Sequence, residues 1–143
     1  MNLITSRETV YVALLALLAS LPQLKVCTRR LKHWQDVPAE DQPALYMEHS
    51  GEIAVPVKGL PTKIVLELNL WIYVRNAGDA AGLVLNPVLD AIEKALQPIN
   101  EGDHALTLGG LVHHCWIEGQ TQIFEGDLGE EAVAIVPVKL LVT

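Results

Sequence analysis

Thirteen consecutive residues, Lys63 to Arg75 (KIVLELNLWIYVR), constrain this chain more than any other segment. Ile64, Leu66, Leu68, Leu70, Ile72 and Val74 recur at every second position, and that period of two places them on one face of an extended strand. Lys63, Val65, Glu67, Asn69, Trp71, Tyr73 and Arg75 take the other face. A strand of this length spans about 43 Å, so it either projects beyond its sheet or forms the sheet's central spine. The rest of the fold has to be built around it.

Two helices are expected beside it. Thr5 and Glu8 have capping-box spacing, and Val10, Leu14, Leu17, Leu18 and Leu21 follow at helical intervals, so a first helix is expected from about Ser6 to Leu21, ending before Pro22. A second runs from an Asp79 N-cap to near Leu96, with Leu85, Leu89, Ile92 and Leu96 on its buried stripe. Pro87 should kink it or restart it with Asn86 as cap.

Further strands are expected at Lys25 to His33, which is mixed and partly exposed, and at Ala44 to His49. Three more follow, within Thr107 to Gly119, at Thr121 to Phe124 and at Ala132 to Val142. A polar linker, Trp34 to Gln42, joins the first two. The order αβββαβββ, dominated by hairpins, predicts an α+β fold: a single domain over residues 1–143 with a mixed, mostly antiparallel sheet carrying both helices on one face.

Composition narrows the function. Half of the 143 residues are hydrophobic, enough for a core without staples, and no repeat or low-complexity run appears. A net charge of −7 argues against a duplex-binding surface, since phosphate neutralisation needs clustered cations and the chain has one small group, Arg29, Arg30 and Lys32. The most apolar run, Val10 to Leu21, has twelve residues against the roughly 20 a membrane helix needs. Arg7 is offset by Glu8 and no Ala-x-Ala pattern follows, so export is not expected. Cys27 and Cys115, far apart and outside any CxxC, read as free thiols of a reducing compartment.

The chemically densest stretch is Thr107 to Gly119 (TLGGLVHHCWIEG). On a strand, His113 and Cys115 point one way and His114 and Trp116 the other, which divides the cluster. No CxxC, HxxxH or HExxH spacing supplies further metal ligands, and Cys115 cannot use its sequence neighbour as a base. No catalytic, cofactor or metal residues are expected. Gly109 and Gly110 suit a bulge or tight strand entry rather than a phosphate loop, and Glu125, Asp127, Glu130 and Glu131 a solvated turn.

Two surfaces remain. Trp71, Tyr73 and Arg75 put large aromatics on the mixed face of the long strand, a pattern of subunit interfaces. Gly51 to Pro61 (GEIAVPVKGLP) reads as a loop exposing Ile53, Val55, Val57 and Leu60 beside Lys58, and with Arg29 and Arg30 it is the candidate for axial docking.

The succession "RRLKHWQDVPAEDQPALYMEH", "LNLWIYV", "LNPVLDAIEKAL", "TLGGLVHHCWIEG", a "GD" turn and "AVAIVPVKLLV", behind an N-terminal helix, resembles the tail terminator (tail completion) proteins of long-tailed bacteriophages. The resemblance spans nearly the whole chain and rests on hydrophobic and turn patterns. It implies a non-enzymatic virion protein, made in the host cytoplasm, that forms a homo-oligomeric ring, typically a hexamer, at the head-proximal end of the tail. Its partners would be the tail tube protein and a head-tail connector, with DNA passing through the lumen without specific binding and no membrane involved. The alternative is a head-tail connector or neck ring protein.

Overall fold

The computed structural model describes residues 6–98 and 104–142. In chain order the elements are α1 (Arg7–Ala19), β1 (Val26–Thr28), β2 (Ala44–Val55), β3 (Lys63–Arg75), α2 (Gly82–Ala95), β4 (His114–Ile117), β5 (Gln122–Leu128) and β6 (Glu131–Val142). This is the α+β order αβββαβββ.

Helix boundaries follow local hydrogen bonding. Ser6 caps α1, its hydroxyl accepting the Thr9 N–H at 3.1 Å, while Thr5 of the capping-box reading lies outside the described residues. α1 stops at Ala19 rather than Leu21, with Ser20 as its C-cap and Pro22 disfavouring helical geometry at Leu21. α2 starts at Gly82, not after an Asp79 cap: the Asp79 carboxylate accepts from the adjacent Ala80 N–H at 2.7 Å instead. Nor does Pro87 restart the helix, which runs through it as one element. Pro87 withholds a donor from the Leu83 carbonyl, and both residues lie on the exposed side, where water can take that bond.

β3 is the spine. It pairs antiparallel with β2 from Ala44↔Tyr73 to Val55↔Lys63, and with β6 from Ile64↔Val142 to Arg75↔Glu131. β1 is shorter than expected and lies parallel to β2 at one edge. At the other, β4 and β5 share the outer edge of β6, β4 on Val138 to Leu141 and β5 on Glu131 to Ile135. The break between them falls at Pro137. Its carbonyl accepts from Glu118 N–H at 3.3 Å, so the N–H it lacks would have pointed to the same edge, and the ladder loses a donor there. Gly119, at φ +114°, turns the chain past the ring: a Cβ there would stand 3.4 Å from Pro137 Cγ.

Both helices cover one face. Val10, Leu14 and Leu18 of α1 and Leu85, Val88 and Ile92 of α2 pack with Leu66, Leu68, Leu70, Ile72 and Val74 of β3 and with Val136, Val138 and Leu140 of β6. The opposite face is divided. Toward one end, Trp34 and Val37 of the linker pack on Ala44, Tyr46, Tyr73 and Val133, so the linker closes a second small core. Two 3-10 turns, Trp34–Asp36 and Ala39–Asp41, shape it, and Gln42 Nε2 donates to the Val37 carbonyl at 3.0 Å.

Candidate assembly surfaces

The histidine–cysteine stretch disperses on folding. Leu108, Gly109 and Gly110 have φ of 53°, 73° and 92°, and the Gly110 N–H donates to Thr107 O at 3.1 Å, making the tight entry that feeds β4. Cys115 is buried in the main core beside both helices. His114 turns away, stacked on Trp116 with ring centroids 5.0 Å apart, and its Nδ1 accepts from the Leu106 N–H at 3.2 Å. His113 is exposed just ahead of the strand, its own N–H donating to Leu141 O. Burial pushes the Cys115 thiol up to about 12 and that of Cys27 to about 11, so neither is a thiolate nucleophile near neutrality. Among the described residues no three His, Cys, Asp or Glu side chains gather where a metal could sit.

The three β3 interface candidates differ in what they present. Trp71 is half-buried, with its indole N–H donating to Glu48 Oε1 at 3.2 Å. Tyr73 is 4% exposed, its hydroxyl donating to the Lys32 carbonyl at 2.7 Å, so within the subunit it belongs to the second core. Arg75 grips Glu130 at 2.6 Å and, with its other guanidinium nitrogen, Glu131. The acidic turn is therefore more than a solvated one. Glu131 is buried against Arg75, and Glu125 reaches α2, where its carboxylate accepts the Gly82 N–H at 2.9 Å. Sequence reading missed both roles, because each partner lies over 40 residues away and no local pattern joins them.

The segment read as a loop from Gly51 to Pro61 is largely strand. Gly51 to Val55 pair with Glu67 to Lys63, and the turn is confined to residues 56–62. A bulge between His49 and Gly51 sets the geometry. Before it, Met47 and His49 share the helix-covered face; after it, Glu52 and Ala54 take that face, and Ile53 and Val55 move to the open one. Ile53, Val65, Leu141 and His114 then fall in one row across four strands. Ile53 and Val55 are 49% and 41% exposed. Arg7 ties α1 to Glu52 on the covered side and holds its carboxyl below the ordinary range, chiefly through their hydrogen bond. Arg29 pairs with Glu8 and lies over the Tyr11 ring at 5.3 Å, while Arg30 is exposed.

A further feature was not anticipated. Where β4 gives way to β5, a cleft of about 760 Å³ opens beneath the C-terminal half of α2, lined by Leu89, Ile92, Leu96, Trp116, Ile117 and Ile123 with Asp90 and Glu93 among them. The sequence signal for it was Pro137 inside an otherwise unbroken strand.

No family model matches this chain, and no curated protein matches it in sequence. Among solved structures, a chain of the virion of a native gene transfer agent (GTA) particle is similar at a TM-score of 0.52 and 13% identity, over 93% of this chain and 90% of that one. At that identity the likeness is one of fold, and it extends over nearly the full length of both chains.

Proposed function

We propose that this chain is a structural protein of a phage-like virion, forming a ring at the head-proximal end of the tail tube, where it stops tube polymerisation and offers the surface that joins the head. The observation that carries this reading is the end-to-end fold similarity to a chain of a gene transfer agent virion. The order αβββαβββ and the dispersal of the histidine–cysteine stretch away from any reaction centre support it.

The mechanism is geometric. Heterologous side contacts close the ring, and its two faces differ: one reproduces the contact by which tube rings stack, and the other does not, so growth ends. Trp71 and Arg75 on β3 serve the lateral contact, with Tyr73 supporting them from within. Arg29, Arg30, Ile53 and Val55 serve axial docking. Six copies at −7 would total about −42, and like charge facing DNA keeps phosphates from adhering to the channel.

Sedimentation velocity over a wide concentration range tests the ring. A discrete species near six times 15.6 kDa is expected. A monomer at every concentration would refute a self-standing ring. Placement is tested on particles: the protein is expected on isolated tails before heads are added, and recovery from heads alone would make it a connector.

A further inference from the structure

We propose that the tip of the β2–β3 hairpin, residues 56–62, docks into the cleft between α2 and β4/β5 of a second copy of this chain, so that each subunit supplies a plug to one neighbour and a socket to the other. This rests on the ring reading above, adds a second lateral contact to the one on β3, and moves Val57, Lys58 and Leu60 from axial docking to that contact.

The tip is built to enter something. Its last strand pair is Val55↔Lys63, and it carries Leu60 at 62% and Val57 at 39% exposure, large apolar side chains that the described chain leaves partly open to solvent. Its shape is preset, because Gly59 has φ +82°, the Leu60 N–H donates to the Val57 carbonyl at 3.0 Å, and Pro56 and Pro61 flank the turn. A preformed turn loses little conformational entropy on docking.

Cleft and tip match in chemistry. The cleft's about 760 Å³ falls in the range that accepts a compact ligand of a few residues, and its lining is mixed, with Leu89, Ile92, Trp116 and Ile123 beside polar Gln97 and His104. Asp90 and Glu93 stand in its lining, with no Lys or Arg among the described lining residues. The tip has the opposite sign: from Ile53 to Leu66 the charged residues are Lys58 and Lys63, with no acid. An apolar plug with one cation at its centre thus faces a mixed socket that carries two acids.

Topology makes the contact repeatable. In the order β1-β2-β3-β6-β4, with β5 also on β6, the tip is the turn joining β2 to the central β3, whereas the cleft lies across β6 beside β4 and β5. A contact between two different surfaces is heterologous, and such contacts generate a ring when the rotation between neighbours closes.

Charge exchange tests this. Lys58→Glu and the pair Asp90→Lys with Glu93→Lys alter exposed residues, and circular dichroism checks their folding. In sedimentation velocity each is expected to weaken self-association about tenfold per contact, while the triple variant carrying all three changes recovers wild-type association to within about threefold. If Lys58→Glu and the acid-reversed pair both assemble like wild type, the tip does not enter the cleft, although the ring stands. If both assemble normally but fail to cap isolated tails, the tip meets the tail instead, and the proposal fails. A wild-type chain monomeric at every concentration would overturn ring and contact together.

Discussion

Glu125 on β5 accepts a hydrogen bond from the Gly82 N–H at 2.9 Å, so a carboxylate from a distant strand occupies the first turn of α2. It satisfies one of the donors that every helix start leaves free and places negative charge at the positive end of the helix dipole. Gly82 permits the approach: a Cβ at that position would stand 2.5 Å from Glu125 Oε1.

That relationship predicts a non-additive pair. Glu125→Ala should cost about 1 kcal/mol, as loss of a helix cap does. Gly82→Ala should cost a similar amount by displacing the carboxylate, yet in the Glu125→Ala background it should stabilise by up to about 1 kcal/mol, since alanine favours helix over glycine. Urea denaturation of the four proteins of the cycle measures this. Additive effects would mean that the carboxylate does not cap α2.

Arg75 and Glu131 tie the end of β3 to the start of β6. Glu131 is 6% exposed, so Arg75→Ala strands a buried carboxylate and should lower stability by about 2 kcal/mol, less than for a fully buried pair because Arg75 itself is partly exposed. A lower urea midpoint with an unchanged m-value is the expected result.

Two tyrosines should respond oppositely to loss of the hydroxyl. Tyr73→Phe removes the bond to the Lys32 carbonyl and should cost about 1 kcal/mol, whereas the Tyr11 hydroxyl is buried with no partner among the described residues and Tyr11→Phe should be neutral or slightly stabilising. Thermal melts at pH 7 separate the two.

Both phenols also set an alkaline limit. Burial raises them from an ordinary value near 10 to about 12. Their folded-state values exceed the unfolded ones, so the stability they confer is complete below pH 10 and is lost as pH climbs from 10 to 12. Melting temperature should fall across that window, and less steeply in the Tyr11→Phe/Tyr73→Phe double variant.

Thiol chemistry should follow burial. At pH 8 under native conditions Cys27, half-buried with a value of about 11, should react with a disulfide reagent slowly, and Cys115, at 0% exposure and about 12, more slowly still. Denaturant should release both at once. Fast native labelling of Cys115 would mean that β4 opens locally.

The two faces of β3, the element order and the helix-covered core were legible in the sequence because they depend on periodicity within short windows: alternate aliphatics along Lys63 to Arg75 leave one way to face a core. The same alternation separates Cys115 from His114 and Trp116. Tertiary structure decided what depends on partners far along the chain. Asp79 looks like a cap, but the α2 start is met by Glu125. The acids at Glu130 and Glu131 look solvated until Arg75 arrives 55 residues away. Gly51 to Val55 looked like loop because a bulge resets the alternation, and a one-residue shift exchanges the two faces of a strand. The cleft beside α2 opens where the outer edge of β6 passes from β4 to β5 near Pro137, a break that appears only once the edge has its neighbours. Local sequence sets which face each strand buries; the pairing of distant strands sets which surfaces remain to meet another molecule.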